Sequence, residues 1–323
     1  MRRPLEHLSS YKGACEQIFG PACWDRIDAA MAEGRGTRWP AWCPIPAGAL
    51  YAMVLATAAS KEEAHRFDNL VPMLHCLALW RYGQGVYRFD DALATELLDT
   101  PLDAAIPSEV LSRLPEWCGF IVAPGCDGWP DTYDGFFAMV SWNADLSRRE
   151  LRLVFLPSQP DVPQISIIPL NFETLGDALG AWYKETLDLD LEDPLASAGA
   201  IKKGQDAAAK VIGFVLYLCA ENAEFRPVDD THRPVRQPEH PAIRHRPRQI
   251  DVGYRVGPLL ARQRQAAAAT GHGAGVSPHL RRAHWHHYWT RPDPEGDKVL
   301  ELRWLQPTLV LGRPSTPRVR DLS

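Results

Sequence analysis

No stretch of this chain is long and apolar enough to read as a membrane span. The longest apolar runs, around Ala47–Ala59 and Val211–Ala220, fall well short of the roughly 20 residues that a bilayer-crossing helix needs. No secretory leader is expected either, since Met1-Arg2-Arg3 is followed by Glu6 and His7 rather than by an apolar core. The expected location is therefore the cytoplasm, with no membrane partner. Cysteine pairing is also absent: the 7 cysteines are an odd number and none forms a Cys-x-x-Cys pair. In a reducing compartment they read as buried small apolar residues, and a cysteine-based zinc site has no support.

The usual catalytic signatures are equally scarce. Gly271-His272-Gly273-Ala274-Gly275 is rich in glycine but lacks the Lys-Ser/Thr ending of a phosphate loop, and it follows a helix rather than a strand. Neither a Gly-x-Ser-x-Gly elbow nor a His-Glu-x-x-His pair occurs. The carboxylate pairs Asp90-Asp91, Asp188–Asp190 and Asp229-Asp230 sit in turn-like contexts, as does Asp127-Gly128-Trp129-Pro130-Asp131, and read as solvated surface. No catalytic residue, metal ligand set or cofactor is assigned.

What the chain does contain is an ordinary globular composition over 323 residues, with 46% apolar and 23% charged residues. Its charge is unevenly placed. Residues 226–323 hold 17 Lys and Arg against 9 Asp and Glu, a balance of +8, while the rest of the chain stands at −13. Such a split fits either a basic tail facing a polyanion or a basic tail docked on an acidic body.

Apolar spacing divides the chain near Pro115. Before it, helical periodicity runs through Ile18, Ile27 and Met31 (broken at Pro21), then through Ala47–Ala59 and Lys61–Arg81, with shorter helices at Asp90–Leu98 and Ser108–Leu114. After it come strand candidates at Trp117–Ala123, Gly135–Ala144, Glu150–Leu156 and Ile165–Pro169, then helices at Thr174–Leu187 and Gly199–Glu221. The proline- and arginine-rich segment 225–249 reads as a loop, followed by a strand at Asp251–Val256 and a helix at Pro258–Ala269. Leu280–Trp289, Val299–Leu305 and Thr308–Leu311 end the chain as strands. The expected fold is α+β: a helical N-terminal half over 1–114, then a mostly antiparallel sheet flanked by helices over 115–323, with the C-terminal strands completing that sheet. The two regions are also compatible with one continuous domain.

The densest chemistry lies in His284-Trp285-His286-His287-Tyr288-Trp289, with Arg281-Arg282 before it and Arg303-Trp304 after it. On a strand, His284, His286 and Tyr288 share one face, and Trp285, His287 and Trp289 share the other. Histidines two apart can ligate a metal, but no third ligand stands at a recognisable spacing, so packed or hydrogen-bonded imidazoles are the leading reading. The rings can stack on RNA bases while the arginines neutralise phosphates, or they can form one wall of a core with arginines at its rim. Trp285 and Trp289 are expected to be buried. The candidate binding residues are Arg281, Arg282, His284, His286, Tyr288 and Arg303.

The segment Pro278–Thr290 and the run Leu302-Arg303-Trp304-Leu305-Gln306-Pro307 together resemble the C-terminal signature of a type V-A anti-CRISPR family, whose namesake is the second inhibitor of that type. Leu114-Pro115-Glu116-Trp117-Cys118, Gly135-Phe136-Phe137 and Glu150-Leu151-Arg152-Leu153 resemble that family's middle region. The resemblance implies a binding protein rather than an enzyme. It would recognise a segment of the type V-A effector polypeptide, nascent on the ribosome, and lower its expression through loss of its mRNA; the basic tail, read separately, is compatible with RNA as a further partner. The alternative is a ribonuclease or other hydrolase in which His286 and His287 act as acid and base.

Overall fold

The computed structural model describes residues 2–57, 60, 70–122, 125–126, 128–129, 131–159, 163–187, 210–228, 247–269, 279–291 and 296–310. Helices α1 (Arg2–Phe19) and α2 (Cys23–Gly34) are separated at Pro21, and α3 (Ala47–Leu55) follows the proline-rich connector. Of the long helix expected over Lys61–Arg81, residues 61–69 lie outside the described residues, and the rest is α4 (Val71–Gly83). Pro72 stands in its first turn, where the missing N–H is no loss. The helix ends at Gln84, held at φ +47° in the left-handed region, whose N–H donates to Trp80 O.

That turn launches β1 (Gly85–Phe89), a strand that five residues between two helical patterns do not announce in sequence. Helix α5 (Asp91–Asp99) follows, with the Asp90 carboxylate accepting from Ala92 N at 2.9 Å. Asp90 is therefore an N-cap rather than idle surface charge, a role worth about 1 kcal/mol. A 3-10 helix (Ser108–Arg113) leads into β2 (Cys118–Val122), the long hairpin β3 (Tyr133–Asn143) and β4 (Arg148–Pro157), and β5 (Gln164–Pro169). Helix α6 (Leu175–Leu187) and α7, described over 210–219, precede β6 (Phe225–Pro227), β7 (Arg248–Val252) and α8 (Val256–Ala269).

Seven strands form one sheet in the order β5-β4-β3-β2-β1-β7-β6. Pairs β1–β2 and β1–β7 are parallel and the other four pairs are antiparallel, so the sheet is mixed but mostly antiparallel. The α+β architecture expected from sequence is present. The ends of the segment read as a loop over 225–249 differ from that expectation: β6 is a strand paired with residues 250–252 of β7, and Arg248 and Gln249 at the start of β7 pair with β1, while 229–246 lie outside the described residues.

Both faces of the sheet are covered, and side-chain alternation sorts them. Tyr87, Ile121, Phe136, Leu153 and Phe155 pack with α5, α7 and the C-terminal strands. Val86, Phe120, Phe137, Val154 and Leu156 pack under α2, α3 and α4. A strand buried on both faces reads as a nearly continuous apolar run, as in Leu151–Leu156. None of the 7 cysteines is in a disulfide and six of them are buried, in keeping with their reading as core residues.

The C-terminal strands correct one expectation. They do not complete the large sheet. Strands β9 (His284–Thr290) and β10 (Val299–Leu305) form a separate two-stranded ribbon, and β8 (His279–Arg281) pairs with β11 (Thr308–Val310) in a second one. The reason lies in the sheet's edges and in where the ribbon's apolar residues point. Among the described residues, edge strands β5 and β6 gain no neighbour, whereas Trp285, Leu300, Leu302 and Trp304 pack face-on into the core beside α7.

Candidate functional site

Ribbon β9–β10 is anchored by main-chain bonds as well as by its rings. Asn222, just past α7, donates to Trp304 O at 2.8 Å and accepts from Trp304 N at 3.1 Å. Glu221 N donates to Leu302 O at 2.9 Å, and Arg113 donates to Leu300 O at 2.6 Å. The Trp304 ring meets Tyr217 edge-on at 5.9 Å, and its indole N–H donates to Thr100 Oγ1 at 3.2 Å.

The residues expected to bind fall as strand alternation dictates. His286 stands opposite Arg303 and Tyr288 opposite Glu301, so His284, His286, Tyr288 and Arg303 share the outward face. There they satisfy one another. The Glu301 carboxylate accepts from Tyr288 OH at 2.8 Å, Thr290 Oγ1 at 3.0 Å and Arg303 at 3.1 Å, and these bonds hold it below the usual carboxylate range. The His286 and Tyr288 rings meet edge-on at 5.3 Å. Arg282 is exposed beside this face, and the backbone of Arg281 pairs with Thr308 in the neighbouring ribbon. Among the described residues no three His, Cys, Asp or Glu side chains converge as metal ligands.

The inward face holds a second departure from expectation. Trp285 and Trp304 are buried at 4% and 2% exposure, but Trp289 is 54% exposed. Only the end of the ribbon next to α7 sits on the core. Its other end overhangs a cavity of about 680 Å³, with His287 and Trp289 forming one wall. The His287 ring lies 3.6 Å from the Asp103 carboxylate.

Three more walls close this groove. Trp142 and Ser147–Arg149 come from the β3–β4 hairpin, Leu170–Thr174 from the loop after β5, and Pro107–Glu109 from the start of the 3-10 helix. The last two are stitched together, since Leu175 N donates to Ile106 O at 2.7 Å and Ser108 N to Glu173 O at 3.2 Å. Thr174 caps α6 by accepting from Asp177 N at 3.2 Å while its hydroxyl donates to the Asp177 carboxylate at 2.7 Å. Beyond Arg149 a smaller cavity of about 200 Å³ continues over Trp42, Pro44 and Trp117. Trp42 and Trp142 meet edge-on at 6.2 Å, and the Arg149 guanidinium lies over Trp42 at 4.7 Å.

Of the two arginines lining the groove, Arg148 is already matched by carboxylates, while Arg149 lies over Trp42. Arg148 bonds both oxygens of Glu185, at 2.6 and 2.7 Å, and reaches the buried Glu150 at 3.1 Å. The bond to Glu185 raises the Arg148 pKa and lowers that of Glu185. Arg152 holds the other oxygen of Glu150 at 2.9 Å. Glu109 and Glu173 have no cationic partner among the described residues.

The chain matches the sequence model of the AcrVA2-like family, the anti-CRISPR type V subtype A2 family, over residues 87–312. It belongs to that family. The match covers every residue lining the larger cavity and ends short of Trp42 and Pro44 in the smaller one. The crystal structure of AcrVA2 is similar over 94% of this chain and 99% of that one, with a TM-score of 0.62 and 18% identity, a likeness that concerns the fold. No curated protein matches the chain. For this family member, sequence reasoning found the ribbon but missed the groove beside it. Trp42 and Trp142 are far apart in sequence, and only the count of 11 tryptophans points to rings beyond the needs of the core.

Proposed function

We propose that this chain is an anti-CRISPR binding protein that recognises a segment of the type V-A effector polypeptide, acting on the nascent chain and lowering expression through loss of the encoding mRNA. Membership of the subtype A2 family over residues 87–312 carries the reading. The site chemistry supports binding over catalysis. His286 and His287 alternate to opposite faces of β9, so one substrate bond cannot lie between them as acid and base. His286 has a tyrosine ring as its neighbour, and His287 faces Asp103.

A pair of effector reporters tests this in cells making the protein. A synonymously recoded effector keeps its peptide and changes its RNA, and its protein and mRNA should both fall. A frameshifted early segment keeps nearly the same RNA and changes the peptide, and it should escape. Equal repression of both reporters, or of neither, would overturn the proposal. Purified protein should leave single-stranded RNA intact with or without chelator; cleavage abolished by His286→Ala and His287→Ala would instead establish a ribonuclease.

A further inference from the structure

We propose that the groove between ribbon β9–β10 and hairpin β3–β4 is the seat for a polypeptide segment that presents an apolar or aromatic anchor together with a Lys or Arg side chain. The proposal rests on the polypeptide-binding reading above and gives it a place and a ligand chemistry.

Size comes first. The larger cavity, about 680 Å³, lies within the usual range of ligand pockets, and the smaller one, about 200 Å³, extends it past Arg149. A segment with one anchor in each is thus accommodated along a single trough. Exposure is the second argument. An indole that is 54% exposed beside another half-buried one forms an apolar surface that water solvates poorly and a ligand covers well. These walls need little rearrangement, because Trp142 is held by Trp42 and Trp289 sits on a paired strand.

Hydrogen-bonding capacity is the third. The indole N–H groups of Trp42, Trp142 and Trp289 have no acceptor among the described residues. An indole only donates, so an occupant that displaces solvent from these groups binds best when it brings acceptors along its length. Main-chain carbonyls supply them at regular intervals. Charge then separates a peptide from a nucleic acid. Arg148 is engaged by two carboxylates and Arg149 lies on Trp42, whereas Glu109 and Glu173 face the groove unmatched among the described residues. Those carboxylates repel phosphates and attract ammonium or guanidinium groups.

Panning a random-peptide phage library on the full chain tests the groove without reference to the effector. Selected peptides should combine an aromatic or large apolar residue with Lys or Arg. Their affinity should fall on the order of tenfold or more on the double variant Trp142→Ala/Trp289→Ala, while His286→Ala/Arg303→Ala on the outward face binds as well as the parent. Glu109→Lys/Glu173→Lys should select acidic peptides instead, a reversal that mere loss of folding does not produce. The proposal is overturned by a library that yields no binder, by binders indifferent to the tryptophan and charge-reversal variants, or by groove variants that lose only single-stranded RNA binding. Retention of an effector fragment by both parent and groove variant removes the groove and keeps the polypeptide reading. Groove binders without effector retention remove the effector as target and keep the groove.

Discussion

The two faces of ribbon β9–β10 share one backbone and meet opposite fates. Inward, Trp285 and Trp304 stand opposite each other in the register and vanish into the core, carrying the ribbon onto α7. Outward, Tyr288, Thr290, Glu301 and Arg303 satisfy one another at the surface. The sequence packs its rings so densely here that both faces look like chemistry. In the proposed groove, the ring that would face a ligand belongs neither to the buried pair nor to the outward network. It is Trp289, where the inward face runs past the edge of the core.

Replacing Trp304 should break this comparison most severely. Trp304→Ala removes a ring that is 2% exposed, its contact with Tyr217 and its bond to Thr100, and should cost about 3–5 kcal/mol by denaturant unfolding. His286→Ala, on the other face of the ribbon, should stay within about 0.5 kcal/mol of the parent. Equal losses would mean that the outward face is structural too. Trp289→Ala should resemble the outward variant in stability although it belongs to the inward face, because 54% of its surface is already in water.

The next effect contrasts the ribbon's imidazoles with a histidine in the core. His75 on α4 is fully buried, Nε2 lies 2.9 Å from Ile45 O, and burial, aided by the nearby Arg152 charge, pushes its pKa down to about 3. It is neutral in the fold, with Nε2–H as the donor. Between its ordinary value of 6.5 and about 3, the unfolded chain binds a proton that the folded chain does not. Stability from this residue is therefore complete above pH 6.5 and falls with acidification by up to about 1.4 kcal/mol per pH unit. Urea midpoints followed from pH 7 to pH 4 should show this slope. His75→Asn should flatten it even if it lowers the overall stability. An unchanged slope would place the titrating group elsewhere.

Local pattern made some of this legible and not the rest. Leu151, Leu153 and Phe155 mark the β3–β4 hairpin because a strand's period of two shows within a few residues. Ribbon alternation correctly separated Trp285 from His284 and His286. Strand β1 was hidden because Gly-Val-Tyr-Arg-Phe is short and lies between two helices; only its parallel partners β2 and β7, distant in sequence, make it a strand. Trp289 was misread for a related reason. Alternation assigns a face, but where the core beneath that face ends is a tertiary fact. The groove is illegible on the same ground, since its walls come from four separate segments whose meeting no spacing encodes.

The smallest expected effect decides whether the outward face is closed or open to a ligand. Glu301 accepts from Tyr288, Thr290 and Arg303, and the Tyr288 bond is the main cause of its lowered pKa; the same bond raises the Tyr288 hydroxyl. A carboxyl depressed in this way lends the fold stability above the ordinary glutamate range and loses it as pH falls through the lowered value. The group is partly exposed, so solvent screening leaves the change in unfolding free energy too small to carry the test. A carboxyl NMR titration reads it directly. Glu301 should titrate below ordinary glutamates, and Tyr288→Phe should shift it upward while Arg303→Gln shifts it less, following the order of the two contributions. A Glu301 that titrates normally in the parent would mean that Tyr288 and Arg303 are unengaged. The outward face would then offer a free phenol and guanidinium to a partner, and the division between a self-satisfied face and a ligand-ready groove would fail.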